Sequence, residues 1–177
     1  MRFLQTAYVI LWFPKPSETF IFNEVIELAR IGLPLRVYTL YGPLSRDLSP
    51  QMEAVPVPVE IERMGIASLM AIHAAFVHWA KRKPALVREL VRTIPARKWC
   101  DLEAAGENSW AFLCGFHLAR RFEAHGIEHI HAPWANGPAT AAWVASKLTG
   151  IPFSFAAHAG DIYPPDGALE EKIRDAA

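Results

Sequence analysis

The chain contains 177 residues, of which 52% are hydrophobic and 20% are charged. This length fits one domain, and the composition supplies enough apolar side chains for a buried core, which excludes an intrinsically disordered chain. The formal net charge is zero, so no nucleic-acid partner is expected on the basis of bulk electrostatic attraction. The two cysteines, Cys100 and Cys114, form neither a metal-ligand cluster nor a C-x-x-C pair, and such sparse use of cysteine favours a reducing compartment.

The first segment of the chain is apolar from Phe3 to Phe13 and follows Arg2. A secretory signal peptide can begin in this way, but a small-x-small cleavage site would then follow. The sequence continues instead with Pro14, Lys15 and Pro16. We therefore predict a strand over 6–12 that is buried on both faces.

A unit of helix, glycine and strand occurs three times along the chain. Helices are predicted at 18–31, 108–125 and 137–149, each followed by a glycine and then by a predicted strand at 34–40, 127–131 or 152–156. Glycine suits the left-handed position after a helix because it has no Cβ atom to clash. Alternation of helices and strands predicts a Rossmann-like α/β domain, with a parallel sheet flanked by helices.

The remaining predicted elements lie between these units and at the end of the chain. We predict a strand near 57–61, helices near 66–82 and 84–94, an irregular connection over 43–58, and a final helix from about Ala168. The sequence stops within that last helix, without a glycine or proline to end it. We therefore expect 1–177 to be a single domain of a larger protein.

The turn after the first strand is a candidate ligand-binding segment. It contains Ser17, Glu18 and Thr19, and it leads from a strand into a helix. Ligands of open α/β sheets bind at this position, outside the carboxyl ends of the strands. The alternative is a purely structural role, with Ser17 as the N-cap and Glu18 placed favourably against the helix dipole.

A second candidate segment follows the strand at 127–131 and contains His131, Trp134 and Asn136. Aromatic faces cover the apolar side of a sugar ring while polar groups bind its hydroxyls, so these residue types suit saccharide recognition. Asn136 is also a good N-cap residue, with Pro138 in the first helical turn. The alternative is that His131 is a hydrogen-bonded core residue and that Trp134 serves packing.

A third candidate segment follows the strand at 152–156 and contains His158 and Asp161. Small residues surround the histidine, which would let a ligand approach the backbone closely. In a parallel sheet the carboxyl ends of all strands lie at one edge. We therefore expect the three segments to converge there.

These three segments together resemble the N-terminal domain of family-4 glycosyltransferases, in particular those that build exopolysaccharides such as colanic acid. The stretches that carry the resemblance are FPKPSETFIFNE, HIHAPWANGPATAA and IPFSFAAHAGDIY. The resemblance extends from about Tyr8 to the end of the sequence and is weakest between Pro43 and Leu102. It implies the N-terminal half of a GT-B fold, in which a second Rossmann-like domain, not contained in this sequence, holds the nucleotide-sugar donor.

The resemblance also implies roles for individual residues. His158 would be catalytic and reach the transferred sugar, and the loop with Ser17, Glu18 and Thr19 would lie near the donor diphosphate and the acceptor. The acceptor side would be lined by His131, Trp134 and Asn136, with Asp161 shaping the same pocket. The expected reaction is sugar transfer with retention, without a metal or another cofactor, from a nucleotide-sugar to a saccharide or lipid-linked acceptor in the cytoplasm.

A basic region lies between Gly65 and Trp99, where seven Lys or Arg residues face one Glu, a net charge of +6. Mixed with Leu, Ile, Phe and Trp, these charges predict either a peripheral contact of 66–99 with the inner face of an anionic membrane or two ordinary surface helices.

The sequence also permits functions other than that of a glycosyltransferase half. A stand-alone α/β domain that binds a saccharide or a partner without turnover is the main alternative. An epimerase or hydrolase lacks support, because neither a G-x-G-x-x-G fingerprint nor a G-x-S-x-G elbow is present.

Overall fold

The computed structural model describes residues 2–43, 52, 54–94, 101–163 and 167–177. These residues form an α/β domain around one five-stranded parallel sheet, as the alternation of elements predicts. The strand order is β3-β2-β1-β4-β5, with the first strand in the centre. The strands are β1 (Thr6–Ile10), β2 (Leu35–Thr39), β3 (Glu60–Arg63), β4 (His129–Ala132) and β5 (Phe153–Phe155).

Helices connect and flank these strands. They are α1 (Thr19–Arg30), α2 (Leu69–Arg82), α3 (Pro84–Thr93), α4 (Leu102–His125), α5 (Gly137–Thr149), α6 (Ala159–Ile162) and α7 (Leu169–Asp175), and a 3-10 turn (Ile66–Ser68) precedes α2. The three glycines of the repeated unit have φ angles of 84°, 63° and 82°, in the left-handed region where glycine is favoured. The predicted Rossmann-like architecture is therefore confirmed.

Several predicted boundaries move. Helix α4 begins at Leu102 rather than near 108, because the side chain of Asp101 accepts a hydrogen bond from the Ala104 amide and caps the helix. Strand β3 begins at Glu60, later than predicted, since Pro56 and Pro58 have no N–H to donate to a neighbouring strand. The short helix α6 was not predicted. The described residues do not include 44–51, 53 and 95–100. Most of the predicted irregular connection, Cys100 and the end of the basic region therefore lie outside them.

The sheet divides the core into two clusters. On one face, α1 covers β1 and β2 through Ile21, Phe22 and Val25, which pack with Tyr8 and Ile10. On the other face, α4 and α5 pack over the central strands and against each other. Gly115 permits that contact, because a Cβ atom there would lie 2.7 Å from the side chain of Val144. The fold thus leaves the loops at the carboxyl ends of β1, β4 and β5 on one edge.

Candidate functional site

Aromatic rings from three segments meet at the carboxyl edge of the sheet. The centroids of the Trp134 and His158 rings are 4.5 Å apart, and Phe20 of α1 lies 5.8 Å from Trp134 and 5.7 Å from His158. We call Phe20, Trp134 and His158 the aromatic cluster. The structure therefore brings together the second and third predicted segments, and it joins them to the first through Phe20, which the sequence reasoning had not singled out.

Three polar atoms in or beside the aromatic cluster are buried and make no hydrogen bond within the described part of the chain. They are Nε1 of Trp134, Oδ1 of Asn136 and Nδ1 of His158. An indole N–H is a donor, an amide oxygen is an acceptor, and a histidine nitrogen can be either. Buried polar atoms are normally satisfied, so an unpaired group calls for a partner such as a ligand or an ordered water.

Asp161 joins the two loops that carry these atoms. Its carboxylate accepts hydrogen bonds from the backbone N–H of His158 at 2.6 Å and of Ala135 at 2.5 Å. The side chain is buried, with 6% of the residue exposed. A buried carboxylate is tolerated when its oxygens receive such hydrogen bonds. Asp161 thus fixes the position of His158 relative to the loop of Trp134 and Asn136.

Two further charged residues hold the loop that follows β4, and neither was among the predicted site residues. Lys172 of α7 is fully buried and donates hydrogen bonds to the carbonyl of Ala135 and, at 3.3 Å, to the hydroxyl of Thr140. Glu107 of α4 accepts a hydrogen bond from the Gly137 amide at 3.0 Å. Burial raises the pKa of Glu107, an effect opposed by that hydrogen bond and by the charges of Lys15 and Lys172.

The loop after β1 is organised by an ion pair. Lys15 Nζ lies 2.6 Å from Glu18 Oε1 and also approaches the ring of Trp12, which stacks on Tyr41 at 4.6 Å. The structure corrects the expected cap, since Glu18 rather than Ser17 occupies the N-cap position of α1 and no side chain caps this helix end. The turn formed by the hydrogen bond from Glu18 N to Lys15 O moves the helix start one residue on. Ser17 and Thr19 are exposed.

Asn136 occupies the N-cap position of α5, as predicted, but its side chain makes no capping hydrogen bond. Its carbonyl oxygen begins the helix by accepting from the Thr140 amide at 3.0 Å. Pro138 lies in the first turn, also as predicted. The side-chain oxygen of Asn136 is buried and has no hydrogen-bond partner among the described residues.

His131 points away from the aromatic cluster, onto the face of the sheet that α1 partly covers. Its Nδ1 lies 2.9 Å from Ser154 Oγ, which is also 2.8 Å from Nε2 of His129. Burial lowers the pKa of His131 to about 4, with a smaller contribution from His129. This hydrogen bonding favours the alternative that His131 is a structural residue.

A cavity of about 470 Å³ lies beside this pair of histidines, near the beginnings of the strands. Its walls combine the apolar side chains of Phe3, Leu4, Leu28, Leu33 and Leu35 with the polar groups of Arg2, Thr6, Tyr8, Glu24, His129 and His131. The cavity and the aromatic cluster are therefore separate features, one on a sheet face and the other at the carboxyl edge.

The comparisons with known proteins add no relative to this geometry, because no protein-family model, curated protein or solved structure matches the chain. Within the described ranges, no helix combines the length and apolar composition needed to cross a membrane. The described side chains also contain no group of three or more His, Cys, Asp or Glu residues that could hold a metal ion. What the fold and the site define is therefore a class: a Rossmann-like α/β domain with a polar, aromatic site at the carboxyl edge of its sheet.

Proposed function

We propose that the chain is the acceptor-binding half of a retaining GT-B glycosyltransferase of polysaccharide biosynthesis. The observation that carries the proposal is the set of three buried, unpaired polar atoms of Trp134, Asn136 and His158 beside an aromatic cluster. Saccharides present hydroxyl groups that both donate and accept, together with apolar C–H faces that pack on aromatic rings. The position at the carboxyl edge of a parallel sheet is where α/β domains bind their ligands.

In this proposal each residue of the site has a distinct task. Trp134 and Phe20 contact the ring of the sugar, the indole N–H of Trp134 donates to a hydroxyl, and Asn136 accepts from one. His158 binds the transferred sugar at the boundary with a donor-binding domain outside this sequence. That second domain contributes most of the contacts to the nucleotide-sugar, so the chain by itself is expected to bind a saccharide without turning it over.

The site is open to a direct test by NMR titration of the chain with neutral methyl glycosides at millimolar concentration. The indole N–H resonance of Trp134, assigned with Trp134→Phe, is expected to shift saturably for at least one glycoside, because that group lacks a partner. The indole of Trp143 serves as the internal control, since it already donates to Asp175 at 2.9 Å.

Two outcomes count against the proposal. A Trp134 resonance that does not move with any glycoside, or that moves no more than Trp143, contradicts saccharide binding at this site. Binding that is unchanged in His158→Ala removes His158 from the site. His73→Ala is the matched control, because His73 is an exposed histidine on α2.

The same proposal places the protein in the cytoplasm, with α2 and α3 against the inner face of the membrane. Ile66, in the 3-10 turn before α2, and Met70 of α2 are 84% and 80% exposed, and Lys81, Arg88 and Arg92 are exposed on α2 and α3. Exposed apolar side chains combined with basic ones suit an anionic lipid surface. We expect the chain to bind anionic liposomes, and we expect this binding to weaken as salt is added. A liposome cosedimentation assay that shows no binding at low ionic strength would refute this prediction.

A further inference from the structure

The backbone N–H groups at the edge of the site are already bound by carboxylates of the protein itself. Such amides, at strand ends and helix N-termini, are the groups with which α/β domains bind anionic ligands. Here Ala135 and His158 donate to Asp161, and Gly137 at the start of α5 donates to Glu107. These three amides are therefore already occupied by carboxylates of the chain and are not free to bind a phosphate or carboxylate of a ligand.

The fit of Glu107 at the start of α5 is close. A Cβ atom on residue 137 would lie 2.7 Å from Oε1 and 2.9 Å from Cγ of Glu107, so the carboxylate rests directly on the backbone there. Asp161 is equally enclosed, because two amides from different loops hold its two oxygens. An incoming anion would have to displace these carboxylates or bind next to them against charge repulsion.

The cationic groups around the site are also engaged. Lys15 is paired with Glu18 at 2.6 Å, and Lys172 donates to the carbonyl of Ala135. Among the described residues, the buried side-chain atoms of Trp134, Asn136 and His158 have no partner, and they offer one donor, one acceptor and one atom that can be either. This combination matches hydroxyl groups rather than an anion.

We propose that Glu107 and Asp161 are specificity-determining residues that restrict the site to neutral, hydroxylated rings and exclude sugars with a carboxylate, phosphate or sulfate group near the start of α5. This inference rests on the proposed function, because it specifies which saccharides the acceptor side accepts. It predicts a behaviour toward simple anions that can be measured without any saccharide.

The first experiment is an NMR titration of the chain with inorganic sulfate, observing the amide resonances of Ala135, Gly137 and His158. The wild-type chain is expected to show no saturable shift at these amides. Glu107→Ala frees the Gly137 amide, so a saturable shift at Gly137 should appear in that variant. Glu103→Ala, which changes an exposed glutamate one turn earlier on α4, is the matched control and should behave as the wild type.

The second experiment compares methyl glucoside with methyl glucuronide, which differ by one carboxylate. The wild-type chain should bind the glucuronide about tenfold more weakly or not at all, because like charges repel at short range. Glu107→Gln preserves the shape of the side chain and removes its charge. It should therefore bring the affinities for the glucoside and the glucuronide closer together, and this test remains available if Glu107→Ala fails to fold.

The outcomes separate this inference from the proposed function. Saturable sulfate binding at these amides in the wild-type chain, or glucuronide binding as tight as that of the glucoside, overturns the exclusion of anions while leaving saccharide binding intact. If no glycoside binds, the proposed function is overturned. The sulfate titration of the wild-type chain then still tests whether anions are excluded from these amides.

Discussion

The two faces of strand β4 carry different kinds of side chains, apolar on one face and polar on the other. Ile130 and Ala132 face α4 and α5 and are completely buried in an apolar cluster. Their neighbours His129 and His131 face the other way, share the hydroxyl of Ser154 and line a cavity of about 470 Å³. Because side chains alternate along a strand, a single short segment supplies both a close-packed core and a row of titratable groups. The first face forms the apolar core, and the second is expected to make the stability of the fold depend on pH.

The largest expected effect comes from disturbing the close-packed face. Gly115→Val should lower the free energy of unfolding by about 3 kcal/mol, because its Cβ would overlap the side chain of Val144 and approach the backbone oxygen of Ala141, at 2.7 and 3.0 Å. Urea denaturation measures this loss. Gly106→Ala is the control on the same helix, with no atom within 4 Å of the new Cβ, and should stabilise by about 0.5 kcal/mol. Equal effects at both glycines would show that close packing is not what distinguishes this face.

The polar face should respond to pH instead. The pKa of His131 is lowered to about 4, below its ordinary value of 6.5, so the unfolded chain takes up the proton more readily than the folded one. The stabilisation is present above pH 6.5 and is lost as the pH falls toward 4, by about 3 kcal/mol for this residue.

This pH dependence is measured by urea denaturation at a series of pH values in wild type and in His131→Gln. The variant should lose much of the decline between pH 6.5 and 4, since glutamine carries no titrating group. His73→Gln, at an exposed position on α2, should retain the full decline. A wild-type decline that persists unchanged in His131→Gln would assign the pH dependence to other groups.

Much of the fold could be predicted from the sequence because its signals are local. Glycines after three helices, alternating helices and strands, and apolar strand segments each reflect the conformation of a few neighbouring residues. The same reasoning placed His158 and Asp161 after β5 and Trp134 and Asn136 after β4. It failed at the start of α4, where the side chain of Asp101 was not recognised as a cap, and at Ser17, where a turn delays the start of α1.

The supporting residues of the site could not be found in this way. Lys172 is completely buried while its neighbour Ile173 is 60% exposed, the reverse of what residue type predicts. Lys172 is buried because α7 packs against α5 and places its ammonium group on the carbonyl of Ala135, 37 residues away. Glu107 is likewise 30 residues from the amide that it binds.

Local sequence signals are enough to predict a Rossmann-like α/β domain and the loops that contain its candidate site, since backbone conformation and strand burial depend mainly on nearby residues. The tertiary structure determines which side chains in those loops meet. It directed His131 to the opposite face with Ser154, joined Phe20 to Trp134 and His158, and used Asp161, Lys172 and Glu107 to hold the loop after β4. Those contacts depend on strand register and helix packing between distant segments, and no local pattern specifies them.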